Sequence, residues 1–402
     1  MQRPLSLITR TRTHISTTPP PPPPSLCEMA RAVHDQLDAF SSAEDRARAC
    51  SLLCALVEKI DFGKDVERTL ETLALVRQTL SNLDEVRVVL VERYLALAVR
   101  VGRRGSSGSS SSGGGGGTPS AAAPFPPKLL SFLRSAFSAA AVTIPAIEDP
   151  LQRLRLYSAA ASTALAHSAL SQADAFFQAA IREVPDIPAA RAASAAAAVL
   201  SPAAPSSSPH SSLPADLPPA AAALALDQAV AGHIAALARA ALPMPGHPEL
   251  GGTYLARGLL TAVSKYPWSP SPPHSPARPR ATLSLLPLLQ GWLADPPPYA
   301  RIPGVDSNDV LYGGDAEHRG ACQALHRAVL EAVVEQLGQA AEGGDRGVAL
   351  EVVCELLAKG SVARVLGCDE GCRGVLVGAV GVLSRLAPAH PALDAAKAAL
   401  GC

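Results

Sequence analysis

Aromatic residues, charge and long apolar runs are all scarce in this chain of 402 residues. Aromatics make up 4% of it, and β-branched residues are also few, which argues against a sandwich or barrel of short strands. Charged residues reach only 17%, below the ordinary level of about 25%. The 35 basic side chains balance 35 acidic ones, so there is no basic excess to neutralise phosphates, and nucleic-acid binding is not expected. The longest weakly polar stretch, 220–242, is interrupted by Asp227, His233 and Arg239. With no run of 18 apolar residues, no transmembrane segment is expected. Eight cysteines are too sparse for a disulfide scaffold and fit a reduced interior.

What is plentiful is alanine, 75 residues, which enters helices at the least cost. Of the 37 prolines, 25 fall at 19–24, 119–127, 202–219, 267–279 and 296–298, where they punctuate the chain. The tract 102–120, with five glycines in succession at 113–117, reads as a flexible linker, and 201–219 and 267–280 read as Pro/Ser-rich insertions unable to bury enough apolar surface to order themselves. Short basic clusters beside these tracts, Arg100 with Arg103 and Arg104, and Arg278 with Arg280, read as solvated linker charges.

Between the breaks, apolar residues recur at i, i+3, i+4 and i+7, the period of a helix with one buried face. The spacing predicts a stripe of Val66, Leu70, Leu73, Ala74 and Leu80, then one of Val86, Leu90, Tyr94, Leu97 and Val101, with 82–84 supplying turn and cap. Similar pairs are expected at 26–60, 128–170, 171–200, 220–265, 281–294 with 314–341, and 347–400. Helical hairpins of about 40 residues laid end to end predict an all-α fold, an α-solenoid of HEAT-like kind. The expected organisation is a leader at 1–25, hairpins at 26–101, a linker at 102–124, hairpins at 125–200, a linker at 201–219, and a C-terminal solenoid at 220–402 carrying the insertion 267–280.

The leader contains Arg3, Arg10 and Arg12, several Ser and Thr, and no acid, a composition that resembles an organellar transit peptide. The proline run at 19–24 would end any presequence helix early, so an unstructured leader is the stronger expectation. An organellar helical-repeat protein is the alternative reading.

Catalytic and metal motifs are missing. The Gly-rich tract lacks the Gly-Lys-Ser/Thr ending of a phosphate loop, and His247-Pro248-Glu249 lacks the Pro-Cys-x-x-Cys half of a zinc deaminase. Cys50 and Cys54 share a predicted helix face with Leu53 and Val57 and read as core. Cys368 and Cys372 would need two further ligands to hold a metal. The sequence therefore predicts no enzyme, no cofactor and no metal. In the loop 305–315, VDSNDVLYGGD, a calcium reading of Asp306, Asn308 and Glu317 fails because Val310 and Leu311 occupy the fifth and sixth positions. What remains is a self-hydrogen-bonded turn near a helix N-terminus, or a rigid loop presenting Asp306, Asn308 and Tyr312 to a partner.

That loop, together with 244–251 (MPGHPELG) and 254–260 (YLARGLL), 170–181 (LSQADAFFQAAI) and the pair 62–65 and 80–84, resembles the C-terminal part of the vacuolar-protein-sorting thirty-five-like family, the large solenoid subunit of the retriever endosomal recycling complex. The resemblance spans roughly 26–386. It implies a retromer-scaffold-like α-solenoid acting without catalysis, cytoplasmic and peripheral on endosomes, in recycling of membrane cargo to the cell surface. It also implies a small metallophosphoesterase-fold subunit bound by the C-terminal solenoid, and assembly with COMM-domain and coiled-coil proteins (the Commander assembly). The site for an arrestin-like subunit is expected to be missing from this chain. The residues this resemblance marks as partner-binding or loop-structuring are Asp306, Asn308, Asp309, Tyr312, Gly313, Gly314, Asp315, His247, Glu249 and Arg257.

Overall fold

Helix starts in this chain are written in its caps. Ser42 accepts from the Asp45 amide at 3.1 Å, Asp65 from the Arg68 amide at 3.0 Å, and Asp149 from the Leu151 amide at 3.1 Å. Each satisfies an amide that the first turn leaves without a partner. At residues 127 and 219 a proline opens the helix instead, since its missing N–H costs nothing at the first position. The computed structural model describes residues 23–35, 42–80, 83–107, 126–189, 218–269, 276–294, 297–302, 305–342 and 370–386, with isolated positions near the C-terminus. Among them the elements are α1 (Pro23–His34), α2 (Ala43–Lys59), α3 (Val66–Thr79), α4 (Asp84–Ser107), α5 (Pro127–Thr143), α6 (Pro150–Ala166), α7 (Leu170–Glu183), α8 (Pro219–Ala240), α9 (Tyr254–Lys265), α10 (Ala277–Leu283), α11 (Leu286–Leu293), α12 (Asn308–Leu311), α13 (Ala316–Glu342) and α14 (Glu370–Leu386). No strand occurs among the described residues.

Along α1 to α9 each helix packs on its successor or on the next but one. From α1 to α9 the odd-numbered helices contact one another in series, α1 on α3, α3 on α5, α5 on α7 and α7 on α9. The even ones do likewise, α2 on α4, α4 on α6, α6 on α8 and α8 on α10, and the even row continues from α10 to α13 and α14. Two such rows sharing one continuous apolar core make an all-α solenoid, in which each unit is buried only by its neighbours. Between the rows lie Tyr94, Phe137 and Phe177, all fully buried. Phe137 meets Phe176 edge-on at 6.4 Å, and the Tyr94 hydroxyl donates to the Leu73 carbonyl at 3.2 Å.

The predicted stripe of α4 is buried along its whole length, and on α3 Leu73 and, at its C-cap, Leu80 are buried as the spacing predicts, but the core face there also takes in residues outside the predicted stripe. The core face of α3 is Thr69, Thr72, Leu73 and Val76. Leu70 and Ala74 are half-buried, Leu70 still packing against the core, and the two threonines tolerate burial because they return their hydroxyls to the backbone carbonyls of Asp65 and Arg68. Asp84 is a tie rather than a cap: it pairs with Arg87 and accepts from the Glu148 amide at 2.6 Å. Position 82 lies outside the described residues.

Three further expectations are corrected. Arg100 is not a solvated charge, since its guanidinium donates to Asp61 at 2.6 Å, and α4 continues past residue 101 to Ser107. Arg278 and Arg280 lie on α10, where Arg280 reaches Glu355 at 3.6 Å. The described ends of the 267–280 tract are ordered: the Trp268 indole donates to the Val263 carbonyl at 2.8 Å, the Ser269 amide to Asp227 at 3.0 Å, and Ala277 and Pro279 are buried. Two helices, at Pro127–Ala146 and Ala220–Ala240, are long and apolar enough to cross a membrane by length and composition, with a mean hydropathy of 1.4 each. Each instead buries a stripe against neighbouring helices, and the second carries Asp227, buried and bonded to the Tyr266 hydroxyl at 3.1 Å. Cys368 and most of 347–400 lie outside the described residues.

Candidate functional site

The two connections marked in the sequence, one between α8 and α9 and one between α11 and α13, meet in space. Asn308 joins them. Its side-chain oxygen accepts from the Gly246 amide at 2.6 Å, and its side-chain nitrogen donates to the Gly252 carbonyl at 3.1 Å. Asn308 is buried, so the residue expected to face a partner is spent on holding the loops together. A side-chain amide suits this task because it donates and accepts at once.

Glycine makes the approach possible. A Cβ on Gly252 would lie 2.4 Å from the His318 ring, and one on Gly246 would lie 2.6 Å from Gly252 and 2.8 Å from Tyr312. Tyr312 stacks on His318 with centroids 4.7 Å apart and planes inclined by 20°. Gly313 and Gly314 turn the chain into α13, Gly314 at φ +84°, and Asp315 accepts from the Glu317 amide at 3.0 Å as the helix begins.

The partner loop is equally self-contained. The His247 ring nitrogen accepts from the amides of Glu249 at 3.2 Å and Leu250 at 3.3 Å, while Arg257 donates to the Leu250 carbonyl at 3.2 Å. His247 sits edge-on to Tyr254 at 5.7 Å, and the Tyr254 hydroxyl donates to Asp174 on α7 at 2.5 Å. Asp309 accepts from the Tyr299 hydroxyl at 2.8 Å, from Arg301 at 2.7 Å and from Ser307. Burial would raise its carboxyl, but these three donors outweigh it and hold the group below the usual range. Tyr299 is pushed up to about 12 by burial and by the same carboxylate. Asp306 and Glu249 remain exposed.

One pairing escaped sequence reading although its spacing of four on a helix was visible. Cys322 Sγ lies 3.6 Å from His318 Nε2, which is the pairing of a nucleophilic thiol and its base. Burial pushes the Cys322 thiol up to about 12 and lowers His318, against a weaker opposing pull from Asp315. Both groups are held neutral, the opposite of an activated thiolate. Cys50 and Cys54 are core residues, pushed up to about 11 and about 12 by burial. Among the described residues no three His, Cys, Asp or Glu side chains are grouped to hold a metal.

A cavity of about 240 Å³ lies under the 305–315 loop, bordered by Trp292, Arg301, Asp309, Tyr312, His318 and Arg319. Outside it, Leu250, Val310 and Leu311 are three of the seven large apolar side chains that stay exposed among the described residues. All three stand on the two loops that Asn308 ties. The two tied loops therefore carry exposed apolar side chains on backbone that Asn308 braces.

The model of the VPS35L C-terminal domain family matches residues 9–197 and 213–366. The interruption overlaps the Pro/Ser-rich tract at 201–219, and both tied loops fall inside the second matched block. VPS35 endosomal protein-sorting factor-like of Danio rerio is 30% identical over 313 residues, 76% of this chain and 28% of that protein. Its counterparts in Mus musculus and Homo sapiens are 29% and 27% identical over the same shares. The chain therefore spans just over a quarter of the length of these relatives. A solved circular tandem repeat protein aligns with 90% of this chain and 70% of its own at 14% identity and a TM-score of 0.42, too distant to bear on the reading. With well over half of its residues matched, the chain belongs to the VPS35L C-terminal domain family.

Proposed function

We propose that this chain is a non-enzymatic scaffold in endosomal protein sorting, and that its C-terminal helices bind a small metallophosphoesterase-fold subunit in a retriever-like complex. The observation that carries the reading is family membership over both matched blocks, with relatives described as endosomal protein-sorting factor-like. The solenoid form supports it, since such folds offer extended surfaces rather than enclosed sites. Peripheral residence on endosomes, return of membrane cargo to the cell surface and assembly with COMM-domain and coiled-coil proteins belong to the same proposal.

The platform of Leu250, Val310 and Leu311 is the proposed docking element, with Asp306, Glu249 and Arg257 around it. Exposed apolar side chains on a rigid support are the usual anchors of an interface core. Co-expression with the phosphoesterase-fold subunit followed by size-exclusion chromatography tests the proposal. A single co-eluting peak is expected; two separate peaks at micromolar concentration would overturn it. The double variant Val310→Asp, Leu311→Asp is expected to lose co-elution while its melting temperature stays unchanged.

A further inference from the structure

Along α3 and α5 runs an apolar strip that the core covers only in part. Leu70 and Ala74 border an open groove of about 500 Å³ between α3 and α5, whose opposite wall includes Phe132 and Ala139. Two more of the exposed large apolar residues extend it. Leu75, 42% exposed, follows Glu71 by one turn on α3, and Val142, 57% exposed, follows Ala139 by three residues on α5. Helical spacing places each on the groove side of its own helix. The strip from Glu67 to Leu75 is about 12 Å long and that from Lys128 to Val142 about 21 Å, which suits two to four turns of a third helix.

The charge along the rim is directional. Glu67 and Glu71, four residues apart, form an acidic rail on the α3 wall, both exposed. At the groove's N-terminal end Lys128 already reaches across from α5 to Glu67 at 3.4 Å. Glu71, one turn further on, has no such pair among the described residues. Apolar floor and acidic rail together fit an amphipathic helix with apolar residues at i, i+3 or i+4 and i+7 and a basic flank.

We propose that the α3–α5 groove docks a basic amphipathic helix of a partner protein, its apolar stripe seated on Leu70, Ala74, Phe132 and Ala139 and a Lys or Arg side chain paired with Glu71, beside the existing Lys128–Glu67 pair. This surface is separate from the loops of 244–254 and 305–315 and does not depend on what they bind. Parallel odd-row helices leave the groove open because α5 packs mainly on α4, so α3 and α5 meet only along their inner edges.

The test uses the full chain and two labelled helix-forming peptides of about twenty residues, read by fluorescence anisotropy. Both carry leucines at i, i+3, i+4 and i+7; one has a lysine flank and the other a glutamate flank. The lysine peptide is expected to bind at least about fivefold more tightly, the scale of one surface ion pair formed at Glu71 and one like-charge contact avoided there. Ala139→Trp, which fills the groove, and Glu71→Lys, which reverses the rail at an exposed position, are each expected to weaken it about fivefold with unchanged thermal melts. Val310→Asp with Leu311→Asp is expected to leave peptide binding as it was. Equal binding of the two peptides, or affinity untouched by both groove variants, would overturn the proposal. So would loss of binding in the loop variant, or a concentration-dependent dimer abolished by Ala139→Trp, which would assign the groove to a second copy.

Discussion

The array α1–α7 and the tied loops around Asn308 achieve order by different means. In the array, long helices lock through apolar side chains: Phe137, Phe177 and Leu154 are within 1% of full burial, and polar ties such as Arg153 with Glu183 at 2.9 Å sit at the edges. Around Asn308 the helices shrink to a single turn, α12, and backbone groups at turns are satisfied by side chains instead of by a helix ladder. The array tolerates a lost polar contact because water can replace it at the edge; the loops do not, because Asn308 is buried and its partners are backbone atoms. Burial supplies bulk stability in one region, and directional bonds supply shape in the other.

The largest expected effect probes the array. Phe137→Ala should cost about 3–5 kcal/mol by loss of contact and creation of a cavity, read as a fall in the urea midpoint; a loss as small as that of a surface variant would contradict the picture of one continuous core. Asn308→Ala should cost about 2 kcal/mol, since it strands the Gly246 amide and the Gly252 carbonyl. Limited proteolysis should then cut within 244–254 while α1–α7 stays protected, and uniform sensitivity would mean that the two regions are not separately maintained. Gly252→Ala should cost about 1–2 kcal/mol, because His318 and Tyr312 must move aside, and His318→Ala in the same chain should recover part of it.

The smallest effect is a pH dependence. Burial lowers His318 in the fold from its ordinary 6.5, and His167 and His233 are lowered in the same direction and for the same first cause, with Arg103 and Arg155 adding to it. Below their unfolded-state value the unfolded chain binds more protons than the folded one, so this stability is complete above about pH 7 and declines toward about pH 5. Melting temperatures across that window should fall, and His318→Gln should flatten part of the slope. A profile identical to that of the parent chain would place the pH sensitivity at His167 and His233 instead.

Much of the array is readable from residue spacing. The buried series Val86, Leu90, Tyr94, Leu97 and Val101 follows the helical period because one long helix meets core on one side only. In the α3 stripe the spacing finds Leu73 and Leu80 but omits Thr69 and Thr72, which look polar in a sequence, whereas their hydroxyls bond back to the helix and leave methyl groups for the core. Arg100 looks like linker charge until Asp61, distant in sequence, is brought opposite it. At the site, the motif residues are recognisable as a set, but their roles are not. Asn308 reads as an exposed loop amide and is in fact the clasp, and the Leu250, Val310 and Leu311 platform has no period to announce it.

Alanine content, proline punctuation and the helical period determine by themselves that this protein is a string of helices, because those preferences are local and each helix needs only its own residues to declare a face. Which face is buried, which charges pair and which loops meet were decided by the tertiary structure, since they depend on groups tens of residues apart. Asn308 and Gly246 are separated by 62 positions, and Asp61 and Arg100 by 39. Only the stacking of one row of helices on the next brings such groups within hydrogen-bonding distance.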